Sequence, residues 1–576
     1  MDDGGMSAKL KNALDALDAH LHEHGVADDV TLLVPTARPH AADVLLVGRR
    51  TGWEEGDGAR AALSALEAGG ELAFSGRDEQ KNQLHLRLAD AWLAELGAAL
   101  EAGDETALAT DDVAAGKRYV VDFCDPNASK ALHVGHLRHI ALGHALAGLA
   151  SHCGARGERT SQIGDYGRSM GEAMAGYQLF GDGQTPESLG RKGDHFVGDL
   201  YAQYVRHMSA QEADEDVEGG DPALSREDRA RDDLAEQLLR RWLAGEPEAS
   251  ALWRRIRDWA LDGQNATLAR LGVRFDRYIY ESELKDEIAA FSEEAVARGI
   301  AERTPEGAIL FRTGVEEYPV LLLNRTDGFP TQHQRYFVMW LDSIPELEGA
   351  ISYALMGDEW LPLSVHGAEI FRRFETERTV HPTVCVVHGM VTMEGGALSS
   401  SQGGTWLIDR LLDELDADPD LVELVARNER AEADRLAVVT ALGLCLSRRK
   451  RKTMAFSRDL LFHTDANPGW AMAQAWVKAW DPANDGPPDP APDERDYRFL
   501  LVQSQLHRRF AARSLEAIDP FDLIRFHGHL SQWFLAAEAS PRVARAMRTV
   551  LARGLDALAL DPALAVREQP APLLTP

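Results

Sequence analysis

The feature that most constrains this chain is a six-residue run, Arg118-Tyr119-Val120-Val121-Asp122-Phe123, which reads as a buried strand and breaks at Asp125-Pro126-Asn127. Leu137, Ile140, Ala141, Leu146 and Leu149 then recur at helical spacing, so a helix follows directly. Strand, tight loop and helix in succession form the phosphate-facing corner of a parallel α/β sheet. His133-Val134-Gly135-His136 starts that helix. Two histidines three apart project from one side of a helix, and Gly135, lacking a Cβ, lets a flat ring approach the backbone. Taken alone, such a pair is more often structural than functional.

At 576 residues the chain is too long for one core, and length predicts roughly three to four domains. Residues 1–110 read as a small α/β unit, with strands at 31–34 and 43–47 and a helix over 82–100. Residues 111–405 carry the strand-loop-helix corner. Within them, Val273-Arg274-Phe275, Ala308-Ile309-Leu310-Phe311 and Val320-Leu321-Leu322-Leu323 are expected as strands returning to the sheet, with Val384-Cys385-Val386-Val387-His388 as one more. The acidic stretch 211–227 reads as a surface insertion, and 234–259 as helical. Residues 406–480 form a helical connective region, 481–494 a Pro/Gly-rich loop, and 495–576 a helical bundle. The last long helix carries Val543, Met547, Val550, Leu551 and Leu555 on one side, before a frayed tail.

The formal net charge is -31, from 92 acidic against 61 basic residues. Such a field repels nucleic acid at long range, although local basic patches still bind it. The one dense basic run is Arg448-Arg449-Lys450-Arg451-Lys452, placed in the helical region. It is either a phosphate-contacting RNA patch or a solvated helix end. In the bundle, Arg508, Arg509, Arg525, His527, His529 and Trp533 are candidates to face RNA, with Trp533 equally a core residue. The four cysteines form no CxxC pair, so buried thiols are expected rather than a zinc knuckle or a disulfide framework. No apolar run approaches the roughly 20 residues that a membrane span needs, and a cytoplasmic protein with no membrane partner is expected.

The segment from Val121 through Asp122, Asp125-Pro126-Asn127, Lys130 and His133-Val134-Gly135-His136 to Arg138 closely resembles the HIGH motif of class I aminoacyl-tRNA synthetases in its arginyl-type setting. Gln162-Ile163-Gly164-Asp165-Tyr166-Gly167 resembles that family's His-Ile-Gly-Asp-Trp-Gly block. These elements in this order resemble the arginyl-tRNA synthetase family, with the chain as a divergent paralogue. The resemblance implies an α/β fold: a class I, Rossmann-like parallel-sheet catalytic domain, a small N-terminal tRNA-elbow-like domain and a C-terminal helical, anticodon-binding-like bundle. It implies ATP and Mg²⁺ as cofactors, and an amino acid and tRNA as partners. A monomer is expected, with a homodimer left open. It also assigns roles. His133 and His136 would donate to phosphate oxygens, helped by the helix N-terminus. Gly135, Gly164 and Asp165 would lie on the ATP side, while Asp122 and Asn127 would hold the substrate amine.

Departures from the family pattern follow the same alignment. The helix Ile408-Asp409-Arg410-Leu411-Leu412-Asp413-Glu414 is recognisable, but the lysine loop before it is replaced by Ala397-Leu398-Ser399-Ser400-Ser401-Gln402-Gly403. Ser399, Ser400 and Ser401 can donate hydrogen bonds to phosphate yet cannot neutralise a pyrophosphate leaving group. Lys130 stands where some arginyl-type enzymes carry a compensating lysine; a plain solvent-facing lysine is the alternative. The family's pocket tyrosine is matched by Gln332 and its aspartate by Tyr336, and Trp360 replaces a polar residue after Gly357-Asp358-Glu359. A guanidinium reads best against anionic or aromatic partners, so a differently polar substrate fits these changes better than arginine. The expected function is ATP-dependent amino-acid activation with transfer to tRNA. The alternatives are a paralogue serving a non-arginine or modified amino acid and a small acceptor, or a non-catalytic tRNA- or protein-binding module.

Overall fold

The computed structural model describes residues 13–28, 30–34, 42–49, 57, 60, 61, 64, 72–78, 82–214, 233–374, 383–393, 396–397, 406–428, 432–485, 494–538 and 540–560. The insertion over 215–227, Ser399, Ser400, Ser401, the end of the Pro/Gly-rich loop and the tail lie outside the described residues.

The N-terminal unit consists of α1 (Ala13–Glu23), β1 (Val30–Leu33), β2 (Val44–Gly48), β3 (Leu72–Asp78), β4 (Gln83–Leu88) and α2 (Asp90–Glu101), with an antiparallel sheet in the order β1-β2-β4-β3. The helix expected from 82 therefore starts at Asp90, after a strand. Leu84, Leu86 and Leu88 alternate with period two and are buried, although Leu84 and Leu88 alone also satisfy helical spacing.

Five parallel strands form the central sheet: β5 (Arg118–Asp122), β6 (Arg156–Ile163), β7 (Arg277–Tyr280), then, later in the chain, β11 (Ile351–Gly357) and β12 (Val384–His388), ordered β12-β11-β5-β6-β7. The chain runs outward from β5 to β7 and returns beside β5 as β11. A topological switch therefore lies between β5 and β11, and the crevice at their carboxyl ends is where such sheets bind ligands. The strand expected at Val273 sits instead at Arg277, and Val273 and Phe275 are buried in the turn before it. The segments β8 (Ala301–Arg303), β9 (Ile309–Arg312) and β10 (Val320–Asn324) do not join the main sheet; they form a separate antiparallel sheet.

One face of the central sheet is covered by α3 (Val134–His152), which is buried on nearly all sides. Around it come α4 (Arg168–Phe180), α5 (Gly193–Asp214), α6 (Leu234–Leu243), α7 (Pro247–Arg270), α8 (Lys285–Ala297), α9 (Gln332–Ser343) and α10 (Leu361–Phe374). Then follow the short strands β13 (Val391–Met393), β14 (Gly396–Ala397) and β15 (Met454–Phe456), with α11 (Ile408–Asp416), α12 (Pro419–Ala426) and α13 (Ala433–Leu446) between the second and third. The remainder is helical: α14 (Pro468–Ala479), α15 (Glu494–Ser504), α16 (Leu506–Glu516), α17 (Phe521–Ala536) and α18 (Pro541–Ala557). Val543, Met547, Val550, Leu551 and Leu555 are buried, as their spacing predicts. No helix among the described residues is long and apolar enough to cross a membrane.

His527, expected to face RNA, is fully buried. It ends a chain of imidazoles that joins α3 to the bundle. Asp556 Oδ2 meets His152 Nδ1 at 2.9 Å, His152 Nε2 meets His507 Nε2 at 2.7 Å, and His507 Nδ1 meets His527 Nε2 at 2.9 Å. Burial lowers the pKa of all three rings, that of His527 to about 3. An unfolded imidazole binds a proton below about 6.5 while these do not, so their contribution to stability is lost as pH falls through that value. For His527 the loss between pH 6.5 and 5 is about 2 kcal/mol. His527→Gln is therefore expected to flatten the acid limb of a chemical-denaturation series by about that amount; an unchanged limb would contradict this reading.

Candidate active site

The corner predicted from the sequence is present, and its loop is strained. Cys124 and Asp125 adopt φ of 81° and 39°, left-handed values that cost non-glycine residues about 1–3 kcal/mol each. Hydrogen bonds hold the turn in place. Gln162 N donates to Asp125 Oδ1 at 2.8 Å, Gly164 N donates to Pro126 O, and Ala128 N donates to Gly164 O. A Cβ on Gly164 would lie 2.4 Å from Asn127 Oδ1, so this glycine admits the Asn127 side chain. From α7, Gln264 Nε2 donates to the carbonyls of Asn127 and Lys130.

His133 caps α3, and its ring is spent on the cap in a defined way. Its Nδ1 accepts from Gly135 N at 3.1 Å, and His136 Nδ1 accepts from His133 N at 3.1 Å. Both neutral rings must therefore carry their proton on Nε2. Burial first, then the Lys130 charge, pulls His133 down to about 4; His136 is lowered further, by burial and then by His133. The pair consequently offers two N–H donors and no formal charge near neutral pH. Lys130, whose Nζ lies 4.9 Å from the Tyr201 ring centroid, is the cation that both imidazoles sense.

The segment that follows the serine-bearing loop is zipped onto this corner. Val134 N donates to Trp406 O, Ile408 N donates to Leu132 O, and His133 pairs with Leu407 in an antiparallel bridge. In the first turn of α11, Asp409 accepts from Lys192 Nζ at 2.6 Å and meets His195 Nε2 at 3.0 Å. Burial would raise this carboxyl, but the bonds from His195 and Lys192 outweigh it and hold it low. Asp194, His195 and Asp409 are close enough to share a cation, and the Lys192 ammonium already fills that role.

At the carboxyl end of β5, Asp122 accepts from Thr160 Oγ1 at 3.0 Å and from Gln162 Nε2 at 2.5 Å, and burial raises its pKa to about 6. Asp125 is pushed up by burial and then by Asp122. Burial also raises Glu281 to about 7, although Arg335 Nε donates to it at 3.0 Å. Gly167, at φ 101°, makes room for that arginine, because a Cβ would lie 2.8 Å from the guanidinium. Tyr336 is raised by burial and then by the charges of Asp125 and Glu281, and its ring meets Trp360 edge-on at 5.8 Å. His333 lies 6.0 Å from Trp360. Gln332 stands one turn before Tyr336 on α9.

A sequence profile described as tRNA synthetases class I (R), catalytic domain, matches residues 101–331. The arginine--tRNA ligase of Bacteroides thetaiotaomicron is 27% identical over 426 residues, 68% of this chain and 66% of that protein. The arginine--tRNA ligase of Treponema pallidum is 29% identical over 361 residues, 61% of this chain and 56% of that protein. Residues 101–331 therefore resemble the catalytic domain of arginyl-type class I synthetases, and the chain is similar in sequence to arginine--tRNA ligases. It spans less than two thirds of the length of these curated relatives in alignment. Among solved structures, Thermus thermophilus arginyl-tRNA synthetase has the same fold, with TM-score 0.61, 18% identity and coverage of 96% of this chain and 98% of that one. The Plasmodium falciparum enzyme gives TM-score 0.60 at 12% identity, covering 97% and 98%.

For an arginyl-tRNA synthetase relative, the expected residues are distributed unevenly. His133, Gly135, His136, Lys130, Asp122, Asn127, Tyr336 and Trp360 gather around the β5 corner. Asp165 turns inward: it is fully buried and accepts from Ser282 N and Ser282 Oγ. The basic run is not on a helix but in the turn after α13. There Lys450 Nζ donates to the carbonyls of Ala517 and Ile518, and Arg449 pairs with Asp522, leaving Arg448, Arg451 and Lys452 exposed. Trp533 is half-buried against Phe499 at 4.8 Å. Sequence reasoning missed Glu281, Arg335 and Arg138. Arg138 is buried on α3 and donates to the carbonyls of Gly389, Arg449, Lys450 and Lys452. No local pattern marks Glu281 or Arg335; the chance to find Arg138 lay in its position one turn past Val134.

The ring assignment is measurable. Nitrogen-15 NMR of selectively labelled histidine is expected to show His133 as an Nε2–H tautomer that titrates near 4; a midpoint near 6.5 or an Nδ1–H signal would contradict it.

Proposed function

We propose that this chain activates an amino acid with ATP and passes it to a tRNA terminus, in the manner of an arginine-tRNA ligase with an altered amino-acid pocket. The observation that carries this reading is the pair of Nε2–H imidazoles at the start of α3, beside Lys130. A substrate carboxylate oxygen attacks the α-phosphorus of ATP, the bond to the bridging oxygen breaks, and pyrophosphate leaves. Negative charge builds on non-bridging oxygens, where prearranged neutral donors act without reorganising. The pyrophosphate side needs formal charge, which Lys130 supplies where the loop offers serines. Mg²⁺ would enter on the phosphates it accompanies rather than in a protein cage. A ribose hydroxyl then attacks the adenylate carbonyl and AMP departs. In this reading 1–110 meets the tRNA elbow, 495–576 faces the anticodon arm, and Arg448, Arg451 and Lys452 contact phosphate.

Within the same chemistry, one observation favours an amino acid other than arginine. Glu281, a buried acid beside the pocket, is already paired with Arg335, and Tyr336 and Trp360 close ring against ring. A guanidinium substrate would displace an ion pair in order to find a carboxylate, which is costly in a buried site.

Amino-acid-dependent exchange of labelled pyrophosphate into ATP tests the proposal. His136→Ala is expected to lower exchange by about 10²–10³-fold, and Lys130→Met to raise the KM for ATP and lower kcat. Only ionised Asp122 balances a substrate ammonium, so amino-acid KM is expected to fall as pH rises through about 6, and Asp122→Asn to remove that dependence. Exchange undiminished in His136→Ala, or silence with every amino acid while tRNA still binds, would overturn the catalytic reading.

A further inference from the structure

A cavity of about 570 Å³ lies between the central sheet and α9, within the range of small-molecule sites, roughly 300–1,000 Å³. Val120, Thr160 and Ala354 from three adjacent strands form its floor, and Trp340 and Ser343 of α9 form its roof. Gln332 and Tyr336 precede Trp340 at successive helical turns, so the pocket face of α9 continues into the cavity roof. Asp122 and Gln162 stand at the carboxyl ends of their strands, next to the corner that carries the paired imidazoles. Arg118 marks the other end of β5, on the order of 13 Å away at a strand rise of about 3.3 Å per residue.

The two ends differ in chemistry. At the outer rim the charges cancel: Arg118 makes a two-bond pair with Glu158 at 2.9 and 2.7 Å, and Arg277 pairs with Glu346 at 2.5 Å. At the inner end, Gln162 gives its amide N–H to Asp122, while its Oε1 is buried without a hydrogen-bond partner and the residue is 3% exposed. Buried carbonyl oxygens are rarely left so, and a ligand that brings N–H donors to this point would satisfy Gln162 and Asp122 together. Along the floor and roof, hydroxyls of Thr160, Ser343 and Ser352 alternate with Val120, Ile279 and Ala354.

We infer that this cavity is the side-chain site for an α-amino acid with a long, uncharged, hydrogen-bonding side chain, whose ammonium meets Asp122 and Gln162 and whose tail runs under α9 toward Arg118. The inference rests on the proposed activation chemistry for the ligand's head and on the cavity for its tail. The charged groups of the rim, Arg118, Arg156 and Arg277 against Glu158, Asp276 and Glu346, sum to no net charge, which favours an uncharged tail over a cationic or anionic one and separates this class from arginine. The hydroxyls offer partners to an amide placed mid-chain, and the apolar strips take its methylenes.

Calorimetric titration of the full chain with Nε-acetyl-L-lysine, L-lysine, L-arginine and L-alanine tests the cavity directly, with pyrophosphate exchange run in parallel. The expected result is binding of Nε-acetyl-L-lysine at least tenfold tighter than any of the other three. It should be lost at least tenfold in Ala354→Phe, which fills the floor, with ATP affinity unchanged. Ser343→Trp, filling the roof, gives the same result independently should Ala354→Phe fail to fold. Arginine or alanine binding best, or Nε-acetyl-L-lysine binding unmoved by the filling variant, overturns the inference. Exchange that is silent while Nε-acetyl-L-lysine binding responds to the variants sinks the activation reading alone and leaves the cavity assignment standing.

Discussion

The N-terminus of α3 is held by its own imidazoles, and the rest of the site depends on that. A helix start leaves backbone N–H groups without partners, and here two of them, on His133 and Gly135, are taken by the Nδ1 atoms of His136 and His133. The bargain fixes both tautomers and aims both Nε2–H groups away from the backbone. Because the rings are buried, they stay neutral, and the corner's formal charge is left to Lys130. Donor geometry and net charge are thus separate properties of separate residues.

The same helix is the hub through which the other parts of the chain are tied. Its buried Arg138 gathers four backbone carbonyls of the turns around Gly389 and residues 449–452. Its last turn, through His152, enters the imidazole chain of the bundle. The bundle in turn grips the N-terminal unit, where Arg498 donates to Asp43 and Asp90 and Tyr497 donates to Glu101. The bundle and α3 are thus joined by direct side-chain contacts.

How much of this was legible in the sequence follows from which interactions are local. The β5-loop-α3 corner is local, and the strand period, the Asp125-Pro126-Asn127 break and the helical spacing all point to it. The helices of the C-terminal half are amphipathic or wholly apolar and equally readable. Where two periods fit one stretch, as at Leu84 and Leu88, the helix reading claimed a strand. Strands β9 and β10 were recognisable as strands, but β8 and the sheet the three form were not, since pairing partners are set by tertiary packing rather than by local pattern. The ion pairs around the corner, Glu281 with Arg335 and Asp409 with Lys192, join residues 54 and 217 positions apart. No window along the chain contains both members. His527 was misplaced for a related reason: a histidine on a helix reads as polar, and only its neighbours on α3 and α16 make it a core residue.

The central claim is that nucleotide phosphates settle on neutral imidazole donors at the head of α3, with Lys130 as the compensating cation. A crystal structure with a non-hydrolysable ATP analogue measures this directly. The account predicts phosphate oxygens within hydrogen-bonding distance of Nε2 of His133 and His136, with Lys130 Nζ drawn from the Tyr201 ring toward the β- and γ-phosphates. Phosphates bound in another cleft, or Lys130 still seated on Tyr201 with the nucleotide in place, would contradict it.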